Sequence, residues 1–119
     1  TPCLRRIQKL EQENIITGYH AAINPKALNL NVVVYAFVRL SQNSVSAAEQ
    51  FEQHVEKLPH VLECCVISGS YDYLLKIIAH DLESYETFVK HQLGGLSCIA
   101  NIESTVVLKQ SFSKKQLPL

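Results

Sequence analysis

The chain has 119 residues, 47% of them hydrophobic and 18% charged, with 11 basic and 11 acidic side chains and no net formal charge. That balance suits one small packed domain, or one domain plus a fragment. It excludes disorder and a surface that grips nucleic acid or anionic membrane over its whole extent. No apolar run approaches the roughly 20 residues of a membrane span. No export or acylation signal opens the sequence, so a cytoplasmic protein is expected.

Residues 1–14, TPCLRRIQKLEQEN, read as a helix: Thr1 can cap it and Pro2 suits its first turn. Leu4, Ile7 and Leu10 make an apolar stripe, while Arg5, Arg6 and Lys9 gather on the other side. This helix has nothing to pack on within its own length. Residues 15–23 (IITGYHAAI) are strand-like, and Asn24-Pro25 breaks them before a connector. A different rhythm starts at residue 32. VVVYAFVRL (32–40) is a β-branched and aromatic run, hence a strand. A helix starting at Ser44 or Ser46 carries Phe51, Val55 and Leu58 at helical spacing and stops at Pro59. VLECCVI (61–67) and YLLKIIA (73–79) are two further strands, joined by the tight turn SGSYD. Asp81 caps a second helix, with Leu82, Tyr85, Phe88, Val89 and Leu93 facing inward and Gly94-Gly95 ending it. IESTVVLK (102–109) is the last strand.

The order β-α-β-β-α-β predicts an α+β, ferredoxin-like fold: a four-stranded antiparallel sheet with two helices on one face. An antiparallel sheet with one wet face alternates apolar with polar residues. Here Val33, Tyr35 and Phe37 alternate instead with Val34, Ala36 and Val38. The second face therefore calls for another sheet, and a two-fold sandwich dimer is expected.

The four cysteines, Cys3, Cys64, Cys65 and Cys98, form no CxxC pair, and adjacent strand residues point to opposite faces. They are expected to be buried thiols acting as small apolar side chains. His20, His54, His60, His80 and His91 show neither HxxxH nor HExxH spacing, so no metal site is expected. No GxSxG, P-loop or GxGxxG motif occurs, and Glu83 and Glu86 are most simply an exposed helix face. No catalytic constellation emerges, and a non-enzyme without cofactors is expected.

Gly69-Ser70-Tyr71-Asp72-Tyr73 is the most distinctive segment. A hairpin turn with Gly and Asp is routine, but aromatic rings at a loop tip are costly unless they pack on something. Backbone N–H groups beside Gly69 can hold a carboxylate and Asp72 can hold an ammonium. A free α-amino acid carries both groups.

ECCVISGSYDYLLKI resembles the effector-loop signature of the leucine-responsive regulatory protein (Lrp/AsnC) family, usually ECxxxxGDYDYLLK. TPCLRRIQKLEQENIITGYHAAINPKALNL resembles that family's recognition helix and the segment linking it to the effector domain. LPHVLEC, DLESYETFV and STVVLK complete the likeness, which spans essentially the whole chain. The resemblance implies a bacterial or archaeal transcription regulator with an N-terminal helix-turn-helix and a dimerising effector domain. Its dimers would assemble into octameric rings, with an amino acid effector bound between dimers. Residues 1–30 would be the remnant of the DNA-binding domain with its linker strand, and 31–119 the effector-binding and oligomerisation domain. Gly69, Ser70, Tyr71, Asp72 and Tyr73 would line the pocket, with Thr105 contributing from a neighbouring dimer. Arg5, Arg6 and Lys9 would contact DNA. Ser70 stands where the family most often has Asp, which removes a charge from the pocket rim. A ligand-free oligomerisation module is one alternative, and a small ferredoxin-like enzyme is another, because fold alone does not separate functions.

The resemblance implies that the chain opens inside the recognition helix, without the first helix that would seat it in the major groove. It is therefore expected to bind DNA poorly, and tight, sequence-specific retardation in a gel-shift measurement would contradict this reading.

Overall fold

The architecture is that of a computed structural model and is described for residues 30–118. The helix and linker strand expected over residues 1–23 lie outside the described residues, as do Arg5, Arg6 and Lys9. Contacts divide the chain into two units, Thr1–Asn31 and Val32–Leu119, and all the strands and helices of the described residues belong to the second.

Its elements are β1 (Val32–Leu40), α1 (Val45–Glu56), β2 (Val61–Val66), β3 (Tyr73–Ala79), α2 (Leu82–Phe88) and β4 (Ile99–Val106). The four strands form one antiparallel sheet in the order β2-β3-β1-β4, the ferredoxin-like arrangement the sequence predicts. Both helix starts rest on short polar caps: Ser44 Oγ accepts from Ala47 N–H at 3.1 Å, and Asp81 Oδ1 from Ser84 N–H at 2.7 Å. The Ser84 N–H bonds hold the Asp81 carboxyl below its ordinary value. Among the described residues no helix is long and apolar enough to cross a membrane.

Strand alternation sends Val34, Ala36 and Val38 to one face, where they are fully buried. Leu75, Ile77, Phe51, Val55 and Leu93 complete a single core beneath the two helices. Phe51 meets the Tyr73 ring at 4.7 Å between centroids, and the Tyr73 hydroxyl donates to the Glu52 carboxylate. Burial, reinforced by that carboxylate, holds the Tyr73 phenol well above its ordinary value. The other buried phenol, Tyr85, shares a hydrogen with Ser104 Oγ at 2.6 Å. Neither hydroxyl is left without a partner, as burial of a polar group demands.

Four details depart from the sequence reading. The second helix is not α-helical throughout. After Phe88 it widens into a π-type turn, Val89–Leu93, closed by Gly94 N–H donating to Val89 O at 2.7 Å. At roughly 100° per residue, an unbroken α-helix would leave Leu93 about 80° round from Tyr85. The wider turn gains less rotation per residue and brings Leu93 back into the core, fully buried. It also crowds Gly94, where a Cβ would lie 3.1 Å from Lys90 O. Leu82, expected to face inward, is 56% exposed because Asp81 caps the helix on the rim of the sheet.

The last strand begins at Ile99 rather than 102 and ends at Val106 rather than 109. An irregularity at Arg39/Leu40 inserts Ala100 into the ladder and hides the alternation. At the far end Val107 N–H donates to Val33 O, and β1 supplies nothing beyond its first residues. Cys64 and Cys65 are exposed on an edge strand, against the expectation of buried thiols, while Cys98 is buried. Replacing Phe51 by Ala should cost about 3–5 kcal/mol of stability, read from the midpoint and slope of urea unfolding. A loss below about 1 kcal/mol would mean this ring does not hold the helix to the sheet.

Candidate functional site

The segment joining β2 to β3 is short and carries its own scaffold. Gly69 has φ +104°, a left-handed conformation that side chains avoid, and nothing crowds the space a Cβ would fill. Ile67 N–H donates to Asp72 O at 3.0 Å, and Asp72 N–H donates to Val38 O at 2.8 Å. Neither bond uses the amide N–H groups of Gly69, Ser70 or Tyr71. Asp72 Oδ2 accepts from Leu40 N–H at 2.8 Å, so the carboxylate pins the hairpin to the end of β1. A carboxylate offers about four lone-pair sites, and one such bond leaves it able to accept more.

Tyr71 and Tyr73 are two residues apart, a spacing that in a continuous strand would place both rings on one side. β3 begins only at Tyr73, however, and the turn sends the two rings to opposite faces. Tyr73 enters the core. Tyr71 folds over the other face, 5.7 Å from the Phe37 ring, with the Arg39 guanidinium 5.1 Å from its centroid. Arg39 Nε also donates to Ser70 O at 3.1 Å. The Tyr71 hydroxyl bonds the Glu103 carboxylate, which holds the phenol above its ordinary value.

Of the residues singled out by the sequence, Gly69, Ser70, Tyr71 and Asp72 form one group. Tyr73 does not join it, because its ring belongs to the core under α1. Thr105 lies on the same sheet face as Glu103, opposite Tyr35 and two residues further along β4. Within a single chain it stands roughly 7 Å of strand away from Glu103. Three side chains were not anticipated: Phe37, Arg39 and Glu103. The one available signal was Arg39, the lone charge in the apolar run VVVYAFVRL. Around Tyr71 the site thus holds the Glu103 carboxylate and the Arg39 guanidinium, while the Asp72 carboxylate lies on Leu40 N–H at the end of β1.

A cavity of about 570 Å³ lies at the other end of β3, bordered by His60, Ala79 and Phe88. It holds none of the loop residues. Burial and the neighbouring His80 lower the affinity of His60 for a proton there. Cys64 is no activated nucleophile, since the partial shielding of its otherwise exposed thiol, and then the Glu52 carboxylate, push it up to about 11. Among the described residues no three His, Cys, Asp or Glu side chains are grouped as a metal site.

Residues 33–117 match the Lrp/AsnC ligand binding domain. The chain is 38% identical over 109 residues to a proline dehydrogenase transcriptional activator of Rhodobacter capsulatus, covering 92% of this chain and 71% of that protein. It is 34% identical over 110 residues to the leucine-responsive regulatory protein of Escherichia coli (strain K12), covering 92% and 67%. A transcriptional regulator from Neisseria meningitidis, solved as a complex with L-Met, superposes with a TM-score of 0.77 at 32% identity, over 99% of this chain and 76% of that one.

Because Glu103 is the main cause of the raised Tyr71 value, Glu103→Ala should return that phenol toward the ordinary 10.0. A raised folded-state value means the contribution is present below the unfolded-state value and is lost as pH climbs through the folded one. Phenolate absorbance, with Tyr71→Phe subtracted, measures it, and an unchanged midpoint in Glu103→Ala would refute the assignment.

Proposed function

The chain belongs to the Lrp/AsnC family of transcriptional regulators and carries its ligand-binding domain, and from that premise we propose that the Gly69–Asp72 loop receives a free α-amino acid. The observation that carries the reading is the composition of the loop: the Asp72 carboxylate three residues after Gly69, whose backbone is in the left-handed region, with the Glu103 carboxylate at the Tyr71 hydroxyl. An ammonium group suits a carboxylate such as Asp72. A carboxylate suits the backbone N–H groups beside such a glycine. The regulator of similar structure that was solved with L-Met supports this ligand class. In this reading Tyr73 positions the loop from the core and does not touch the ligand.

The half-buried Val33, Tyr35, Phe37 and Leu74 support the sandwich dimer, in which a second copy lays its sheet over this face. Thr105 then comes to an effector site from a neighbouring dimer in an octamer, and Arg5, Arg6 and Lys9 contact DNA. The mechanism is linkage: an amino acid that prefers one assembly shifts the population toward it and so repositions the attached DNA readers in the cytoplasm.

One observation favours a second reading, the ligand-free oligomerisation module. Tyr71 already packs on Phe37 and Asp72 already bonds Leu40 N–H, so the loop can be accounted for by its internal contacts alone.

A thermal-shift panel of the twenty amino acids at fixed protein concentration separates the two. An effector at about 100 times its Kd should add roughly 2.7 kcal/mol to the state that binds it. One amino acid, or a few related ones, should raise Tm. Tyr71→Ala and Asp72→Asn should each abolish the shift while leaving a cooperative melt. No shift with any amino acid would transfer the loop to the ligand-free reading.

A further inference from the structure

Arg39 stands near two carboxylates and pairs with neither. It is exposed at the end of β1, where its strand partner in β4 is the uncharged Asn101. Of the two acids, Glu103 is taken by the Tyr71 hydroxyl and Asp72 by Leu40 N–H. Among the described residues the only hydrogen bond the guanidinium donates is from Nε to Ser70 O, at 3.1 Å.

A guanidinium that served only to meet water would be free to move, and this one is held at two points. The Nε bond ties it to the loop, and its Cζ stands 5.1 Å over the centroid of the Tyr71 ring. Arginine carries five N–H donors in a rigid fork, so the Nε bond leaves the donors of both Nη groups available. Such a fork meets a carboxylate with two parallel, charge-assisted bonds. Backbone N–H groups beside Gly69 offer partial charges alone, and the guanidinium adds a full charge next to the same loop. Leu40, whose N–H holds the Asp72 carboxylate, directly follows Arg39. A fixed cation and a fixed anion therefore adjoin the end of β1 without neutralising each other, and an α-amino acid carries the two complementary charges on one carbon.

We propose that Arg39 binds the α-carboxylate of the effector through its two Nη groups, with the ammonium falling to Asp72. The inference rests on the amino-acid reading of the Gly69–Asp72 loop and adds to it the side chain that recognises the negative charge. It also gives the site a means of rejection. The α-carboxamide of the same amino acid has the same shape and keeps the ammonium, but it has no negative charge and only one oxygen to accept from the fork. Because the same guanidinium holds Ser70 O and covers Tyr71, the ligand's carboxylate and the loop share one anchor.

The test is calorimetric titration of the whole chain with L-Met and its α-carboxamide, then with each other protein amino acid beside its own α-carboxamide. At about pH 6.5 both forms carry the ammonium. The parent should bind the acid more tightly than the amide. Arg39→Gln should weaken the acid roughly tenfold and the amide less than about twofold, so the preference for the acid falls by nearly the same factor. Arg39→Lys keeps the charge without the fork and should lie between. Arg39 is exposed, so both variants should still melt cooperatively. A residue that merely shaped the loop would weaken both forms alike. An unchanged acid-to-amide ratio in Arg39→Gln, or a parent that binds both forms equally, would therefore overturn the proposal and leave the amino-acid reading standing. No binding of any amino acid to the parent would overturn both. Sedimentation velocity without ligand covers the remaining case: if Arg39→Gln changes the assembly by itself, the guanidinium is paired with a carboxylate of a second copy and the proposal falls.

Discussion

Asp72 makes three hydrogen bonds to backbone, two at the end of β1 and one just after β2. Its N–H donates to Val38 O, its carbonyl accepts from Ile67 N–H, and its carboxylate accepts from Leu40 N–H. The β2–β3 hairpin is thereby tied to the end of β1, its neighbour on the far side of β3. Much of the site depends on that tie. Tyr71, just before Asp72, is turned onto one face, where Phe37, Arg39 and Glu103 receive it. Tyr73, just after, begins β3 and points the other way, onto Phe51. A short loop so constrained has little conformational entropy left to lose, which is the general benefit of preorganisation.

The two sheet faces divide the work. The helix face is a filled core, with Val34, Ala36, Val38, Leu75 and Phe51 fully buried and, among the described residues, every buried hydroxyl partnered. A core at native density tolerates little change in shape, which explains why the last helical turn widens instead of leaving Leu93 outside. The opposite face mixes Val33, Tyr35 and Phe37 with the charges of Arg39, Lys76 and Glu103. It is half-buried within one chain, and the loop that carries the candidate site folds onto it. In the proposed function, a ligand at Tyr71 would lie where assembly and binding can influence each other, and linkage requires that proximity or its mechanical equivalent.

The likeness to known regulators bears on this division as well. The matched region, residues 33–117, includes both faces and the loop. Ser70 is a local departure from the usual signature. Its carbonyl, not its side chain, is what Arg39 engages, so the loop can keep its shape with either residue there.

Element order, strand extents for β1, β2 and β3, both caps and the distinctive loop were legible in the sequence because each is set by short-range rules. Those rules are a period of two or of about 3.6, a capping side chain, and a breaker such as Pro59. The missed features all depend on residues far apart in the chain. The bulge at Ala100 and the early end of β4 were decided by what β1 could offer as a partner. The exposure of Cys64 and Cys65 came from β2 lying at an edge, and composition cannot place a strand in a sheet. The π-type turn arose because Leu93 had to reach a core whose position the helix itself does not encode. Arg39 and Glu103 meet Tyr71 across 32 residues of chain on either side, and only the antiparallel register of β1 with β3 and β4 brings them there. Sequence determined which polar and charged groups the loop and strands offer, whereas tertiary pairing decided which of them share a face, because side-chain direction in a strand is known only once its first residue is fixed.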